Sequence, residues 1–176
     1  YITQAKTIPP LKKFVEDGGS IVAIGSSASI GQAMGLAVKD HLAENGSDGK
    51  EHHLSRDKFF IPGSVLLAKI DNKDPMAYGM PNEVSIFFDN NPVFDVTNDG
   101  PVKANTVASF AGKNLLYSGW ALGQQYLDGG VIATEASLGK GKLVLMGLEA
   151  TFRGTPHATY KLLFNGLYFG SSTPAQ

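Results

Sequence analysis

The stretch Leu11-Lys12-Lys13-Phe14-Val15-Glu16-Asp17-Gly18-Gly19-Ser20-Ile21-Val22-Ala23-Ile24-Gly25 decides how this chain is read. Leu11, Phe14 and Val15 recur at helical spacing on one side, with Lys12, Lys13, Glu16 and Asp17 on the other, which predicts an amphipathic helix. Thr7 stands in the N-cap position, and Pro9 and Pro10 are tolerated in a first turn whose N–H groups have no helical partner. Gly18-Gly19 stops the helix, because glycine takes the left-handed conformation at little cost. Residues 20–25 then run without a charge. Such a run predicts a strand buried on both faces, parallel to its neighbour and central in its sheet. Helix, glycine pair and buried strand are the second half of a βαβ unit. The strand that would come before the helix is not in this sequence, which opens at Tyr1, so the chain reads as a fragment starting inside its domain.

Working outward, Ser26-Ser27-Ala28-Ser29-Ile30-Gly31 follows the strand, and a short helix is expected over 32–37. Residues 44–58 are polar and read as a mobile surface loop. Strands are expected over 64–70, 84–88 and 93–96, with further candidates at 104–110 and 113–120. The connector Asp71-Asn72-Lys73-Asp74-Pro75 is rich in turn formers. Residues 130–136, the tight turn Gly139-Lys140-Gly141 and residues 142–147 predict an antiparallel hairpin. Thr155 then caps a last helix with Pro156 at its first position, and Tyr160, Leu163, Phe164 and Leu167 form its core-facing stripe. The expected class is α/β: a mixed, mainly parallel sheet flanked by helices, with a C-terminal antiparallel hairpin and helix. Residues 1–170 read as one domain and 171–176 as a disordered polar tail.

Composition narrows the function classes. Hydrophobic residues make up 43% of the 176 and charged residues 18%, which is globular rather than disordered. Fifteen Lys+Arg against sixteen Asp+Glu give no basic surplus for nucleic acid. No apolar run approaches the roughly 20 residues of a membrane-spanning helix. The absence of cysteine excludes a disulfide scaffold, a thiolate zinc site and a thiol nucleophile.

Three places carry candidate chemistry. Ser26 and Ser27 follow a buried strand, where a nucleophile elbow would expose a hydroxyl beside free backbone N–H groups, although Ser29 stands where the second glycine of Gly-x-Ser-x-Gly belongs. Glu149, Arg153 and His157 follow the last strand, so a Ser–His–Glu constellation is one reading and a surface Glu–Arg pair with a helix-end histidine is the other. His41 and Glu44, with His52-His53 near, have donor types that ligate zinc, but they border a polar loop, and no metal site is assigned. Asn45-Gly46-Ser47 is a glycosylation sequon, of consequence only in a eukaryotic secretory setting. A small-ligand cleft would be lined by Ser26, Ser27, Tyr78, Trp120 and Arg153, while the Phe87-Phe88 pair is read as core.

The segment 11–25 resembles the helix–Gly-Gly–strand unit of class I glutamine amidotransferase-like domains, which have a flavodoxin-like layered fold. Asp74-Pro75-Met76-Ala77-Tyr78-Gly79 resembles their His-Pro-Leu-Ala-x-Gly connector, with Asp74 in place of histidine, and residues 139–147 resemble their closing hairpin. More narrowly, Phe59-Phe60-Ile61-Pro62-Gly63-Ser64, Ser118-Gly119-Trp120 and Phe152-Arg153-Gly154-Thr155-Pro156-His157 resemble the C-terminal region of large bacterial secreted zinc carboxypeptidases. The resemblance implies an amidotransferase-like domain placed after a peptidase domain, with zinc held by that upstream domain alone and the protein secreted or periplasmic. True amidotransferases use an elbow Cys with a His and a Glu near the closing strand. Here Ser26 or Ser27 stands roughly at the elbow and Glu149 roughly in the His/Glu region, and the thiol is missing. The resemblance therefore implies a non-catalytic accessory domain whose partners are the upstream peptidase domain or, through the edge of the 20–25 strand, a further copy. The alternatives are a serine-dependent hydrolase using Ser26 or Ser27 with His157 and Glu149, and a binding module in the same cleft.

Overall fold

The computed structural model describes residues 2–97 and 99–170, so the expected tail at 171–176 lies outside the described residues. The front of the chain folds as its pattern dictates. Helix α1 (Ile8–Glu16) buries Ile8 and Val15, Gly18 turns at φ 118°, and strand β1 (Ser20–Ile24) follows. Thr7 does not cap α1 with its side chain; its Oγ1 instead accepts the Thr3 N–H at 3.0 Å. A 3₁₀ turn at Gly25–Ser29 leads into α2 (Ile30–Ala33), shorter than the helix expected at 32–37.

The remaining strands are β2 (Val38–Asp40), β3 (Ala43–Asn45), β4 (Glu51–His53), β5 (Pro62–Ile70), β6 (Glu83–Asp89), β7 (Phe94–Val96), β8 (Asn105–Ser109), β9 (Leu116–Ser118), β10 (Val131–Leu138) and β11 (Gly141–Met146). The polar stretch read as a loop is in part an exposed hairpin, with Ala43 opposite His53 and Asn45 opposite Glu51. The expected C-terminal hairpin is present: β10 pairs antiparallel with β11 from Ala133–Met146 to Leu138–Gly141.

The sheet itself overturns the expected class. Among the described residues nine strands form one sheet, in the order β1-β11-β10-β8-β5-β6, with β7 also on β10, β2 on β7 and β9 on β5. The β1–β11 pair is parallel and the other pairs are antiparallel. The architecture is a mostly-β, curled mixed sheet with three short helices among the described residues, not a mainly parallel sheet flanked by helices. Connection length settles one pair: a parallel crossover needs a dozen or more residues, usually helical, whereas β10 and β11 are joined by two. β1 is parallel as expected but sits at the end of the strand order rather than at its centre. Its apolar run is explained by α1 and a C-terminal helix, α3 (Ala158–Gly170), which pack on it.

Two cores result. Leu143, Leu145, Ala136 and Val131 pack under α1 and α2 with Ile8, Val15 and Met34. The larger core fills the curl, centred on Phe59, Phe88, Phe110, Ile132 and Met146. Helix α3 packs against both end strands, β1 and β6. It does so with an unexpected face: Thr159, Leu162, Asn165, Gly166 and Gly170 are buried, while Phe164 and Leu167 of the anticipated apolar stripe are 55% and 54% exposed. Polar contacts set this rotation. Asn165 Nδ2 donates to Met76 O and Tyr78 O at 2.9 and 3.0 Å, and Thr159 Oγ1 donates to Ala150 O at 2.6 Å. Gly166 lets the helix close on Met146, Met76 and Val22, whose atoms lie 3.2–3.5 Å from the position of an added Cβ.

Candidate functional site

The bend after β1 falls on Gly25, at φ +58°, and not on Ser26 or Ser27. At the one residue where a strand-to-turn elbow would present a nucleophile, there is no side chain. The space is taken instead by the Glu149 carboxylate, whose Oε1 lies 2.5 Å from where a Cβ on Gly25 would stand. Glu149 is fixed there: its Oε1 accepts from Asn91 Nδ2 at 3.0 Å and its N–H donates to Phe87 O at 3.1 Å. Ser26 and Ser27 follow on the exposed surface of the 3₁₀ turn, where Ser29 Oγ donates back to Ser26 O at 2.9 Å.

The remaining sequence-selected residues are scattered. His157 lies just before α3 rather than inside it, with its ring 5.6 Å from that of Tyr160. Among the described residues neither Ser26 nor Ser27 is hydrogen-bonded to a histidine. Arg153, at φ +47°, lays its guanidinium 5.0 Å from the Phe152 ring, and Phe152 stacks on Phe87 at 4.2 Å. Trp120 packs edge-on to Phe60 at 6.2 Å, and Tyr78 faces the Lys161 ammonium at 5.8 Å. Tyr78 lines a cleft with Asn72, Asp74 and Phe169, apart from the clefts at Ser26 and Ser27. Ser26, Ser27, Tyr78, Trp120 and Arg153 thus do not line one cleft.

One histidine, His53, does share a cleft with the serine turn, in place of His157. A cleft of about 360 Å³ joins Ser26, Ser29 and Gln32 to Asp40, His53 and Asn91. His53 Nδ1 is 2.7 Å from Asp40 Oδ2, and His41 Nδ1 is 2.6 Å from Asp95 Oδ1. The signal that would have found this cleft is pairing of β2 with β7, which is not visible in either three-residue segment alone. For zinc the residues do not fit: His41, His52 and His53 each turn to a separate aspartate, Glu44 is engaged by Lys58 at 2.7 Å, and no three such donors converge among the described residues.

A second polar cleft, of about 540 Å³, was not anticipated at all. Asp74 and Glu135 line it with Lys142, Asn105 and Thr106. Asp74 caps the 3₁₀ turn Pro75–Ala77 by accepting the Met76 N–H at 2.8 Å. Glu135 accepts from Asn105 Nδ2 at 2.7 Å and lies 3.4 Å from Lys142 Nζ. Burial pushes the Asp74 carboxyl above the ordinary carboxylate range, opposed by the Met76 hydrogen bond and reinforced by the Glu135 charge. Between its unfolded-state value and this raised folded-state value Asp74 keeps in the folded state a proton that the unfolded state releases, so its contribution to stability falls as pH rises through that interval. Asp74→Asn keeps the acceptor for Met76 and removes the charge. It is expected to raise Tm at pH 7 by about 2–4 °C, on the order of 1 kcal/mol, with the gain vanishing below pH ~4. Thermal melts of both proteins across pH 3–8 check this, and a gain that grows toward acid would be the wrong sign.

No protein-family model and no curated protein matches the chain. Solved structures do. A β-galactosidase from Bacillus circulans sp. alkalophilus superposes with TM-score 0.53 at 11% identity, covering 95% of this chain and 20% of that one. A cytoplasmic protein from Salmonella typhimurium gives 0.52 at 15% identity, covering 95% and 61%. A ThuA-like protein from Bacteroides uniformis gives 0.48 at 12% identity, covering 94% and 64%. The chain spans less than two thirds of each of these proteins. At such identities the first two matches establish a shared fold and nothing about chemistry.

Proposed function

We propose that this chain is a non-catalytic accessory domain that works through its surfaces. The observation that carries the reading is the elbow: Gly25 has no side chain and Glu149 fills the space a nucleophile would occupy. The resemblance of residues 59–64, 118–120 and 152–157 to the C-terminal region of zinc carboxypeptidases supplies the context. In that reading the partner is a peptidase domain of the same polypeptide, which alone holds zinc, and the protein is secreted or periplasmic. Among the described residues β1 ends the strand order and pairs with β11 alone, which supports a role in assembly, either with that domain or with another copy. A second reading, a binding module for a small polar ligand, is favoured by the cleft that joins Ser26 to the His53–Asp40 pair.

The test is chemical. Incubated with a serine-reactive fluorophosphonate probe and with activated esters, the chain is expected to show no labelling and no turnover above background. Ser26→Ala and Ser27→Ala are expected to behave as the parent does, with Tm within about 1 °C, since both residues are exposed. Stoichiometric labelling lost in one of these variants would establish the hydrolase instead.

A further inference from the structure

The cap at Pro75–Ala77 uses only half of the Asp74 carboxylate. Oδ1 accepts the Met76 N–H at 2.8 Å. Oδ2 has no hydrogen bond and no ion pair among the described residues, although Asp74 is only 9% exposed. Nor is that oxygen sealed in: among the described residues Ser20 Oγ is the one enclosed side-chain polar atom without a partner. Oδ2 therefore opens on the cleft of about 540 Å³ that Asp74 lines. Glu135, 6% exposed, lines the same cleft, but its oxygens are engaged, Oε1 by Asn105 Nδ2 at 2.7 Å and Oε2 by Lys142 Nζ at 3.4 Å. Asp71 turns its Oδ1 to the Lys73 N–H at 3.0 Å. The charged groups facing the cleft are thus Asp71, Asp74 and Glu135 against Lys73 and Lys142, a surplus of one negative charge when all are ionised. The cap does not account for that charge. A neutral amide would accept the Met76 N–H equally well, and burying a carboxylate there costs stability.

We propose that this cleft binds one alkyl cation, the ammonium or guanidinium end of a lysine or arginine side chain, with Asp74 Oδ2 as its acceptor. Charge selects the ligand. An anion would add to the surplus, a neutral group would leave it standing in a desolvated place, and a single positive charge cancels it. Donor count separates an organic cation from a metal ion. Among the described residues no three acidic or imidazole groups converge, and Glu135 is already engaged on both oxygens. A hard metal needs several such oxygens at once, whereas an N–H donor needs the one that is free. The space agrees, since Pro75, Val96 and Ala104 supply apolar surface along which the stem of a lysine or arginine lies. In the empty protein a proton takes the cation's place. Burial raises the Asp74 carboxyl above the ordinary range, against the Met76 hydrogen bond, with the Glu135 charge adding to the rise and Lys142 opposing it. Proton and cation compete for one oxygen, so binding tightens as pH rises through the Asp74 interval and levels off above it. The cleft shares no lining residue with those at Ser26 and Ser27, so the proposal goes beyond the accessory reading and does not depend on it.

Titration of the chain with n-butylguanidinium and n-butylammonium chloride at low ionic strength, followed in proton–nitrogen correlation spectra, tests the proposal, with N-butylurea as the neutral isostere of the guanidinium. The cations are expected to shift the amides of Asp74, Met76, Ala77 and Glu135 saturably, and N-butylurea is expected to leave them in place. Binding of either cation supports the site, and the tighter of the two assigns it to arginine or to lysine. Asp74→Asn is expected to weaken cation binding at least about tenfold, and its raised Tm shows that the loss is not unfolding. Lys142→Gln leaves a donor beside Glu135 and makes the surplus two negative charges, so it is expected to tighten binding about three- to tenfold, which a structural role for Lys142 alone would not do. Between about pH 7 and about pH 4 the parent is expected to lose affinity at least about threefold, and Asp74→Asn to lose less. Equal shifts with N-butylurea, an affinity unchanged in Asp74→Asn, or no saturable shift with either cation at about 50 mM overturns the proposal. Probe labelling of a serine would overturn the accessory reading and leave this site standing, so the two failures are separate.

Discussion

Gly141→Ala is expected to lose about 3 kcal/mol or more, lowering Tm by roughly 6–12 °C. Gly141 opens β11, and an added Cβ there meets the backbone oxygens of both Val15 and Gly19 in hard contact. Those oxygens belong to the end of α1 and the glycine pair before β1, so the tip of the C-terminal hairpin is nested into the bend that begins the sheet. Backbone hydrogen bonds hold the two together: Lys140 N–H to Glu16 O at 3.0 Å and Lys142 N–H to Gly19 O at 3.2 Å. A methyl group cannot be accommodated by a rotamer change, since both neighbours are main chain. Gly112→Ala is the control. Gly112 has φ +100° but nothing within 4 Å of its added Cβ, so it carries the conformational strain alone, about 1 kcal/mol. Differential scanning calorimetry of the two variants separates steric nesting from backbone strain. Equal losses would mean that the hairpin tip stands clear of the α1–β1 bend.

That contact also explains which part of the fold is legible in one sequence. The α1, Gly18-Gly19 and β1 elements, and the β10–β11 hairpin, are written in local pattern and glycine placement, and they form where expected. The class fails because the direction of strand pairing is not local. The unbroken apolar run predicts a central, parallel β1, but the same run arises at a sheet end when helices cover both faces. The stripe of α3 misleads for a related reason. Phe164 and Leu167 look like core by spacing, yet Asn165 and Thr159 have backbone oxygens to reach and Gly166 permits the closest approach, so the helix turns these two outward while Leu163 stays packed against the core. The pattern locates an apolar face; it does not say whether the partner of that face is in the same chain.

The candidate site was legible to the element and not to the residue. The pattern predicts a strand-to-helix elbow over 25–29, and the bend is there, but on Gly25 instead of a serine. Glu149 was selected and does reach the elbow, joined by Asn91 from the loop after β6. Arg153 and Trp120 are tied to aromatic neighbours, Phe152 and Phe60, a relation that no spacing rule contains. Asp74 and Glu135, sixty-one residues apart in sequence, share a cleft through the packing of the Pro75–Ala77 turn beside β10. Long-range pairing positions each of these, and it is the information a single sequence states least directly.

Phe88→Ala is expected to cost about 3–5 kcal/mol, a Tm loss of roughly 10 °C or more. Phe88 is wholly buried in the curl of the sheet, edge-on to Phe59 at 6.3 Å and to Phe110 at 5.9 Å. Those partners come from the segment before β5 and the end of β8, so the ring joins three separate parts of the core, and truncation leaves a cavity that none of them alone can fill. Its neighbour Phe87 points to the other face, stacked on Phe152, which is itself 37% exposed. Phe87→Ala is expected to lose only about 1–2 kcal/mol, the stacking and part of the area. The ratio of the two losses reads the architecture. In a sheet flanked by helices on both faces, adjacent residues of a strand are buried alike and the losses converge. In a curled, largely antiparallel sheet, β6 has one wet face, and its burial alternates from Val84 through Ile86 to Phe88. Thermal melts giving comparable losses for Phe87→Ala and Phe88→Ala would return the fold to the layered class that the strand pairing excludes.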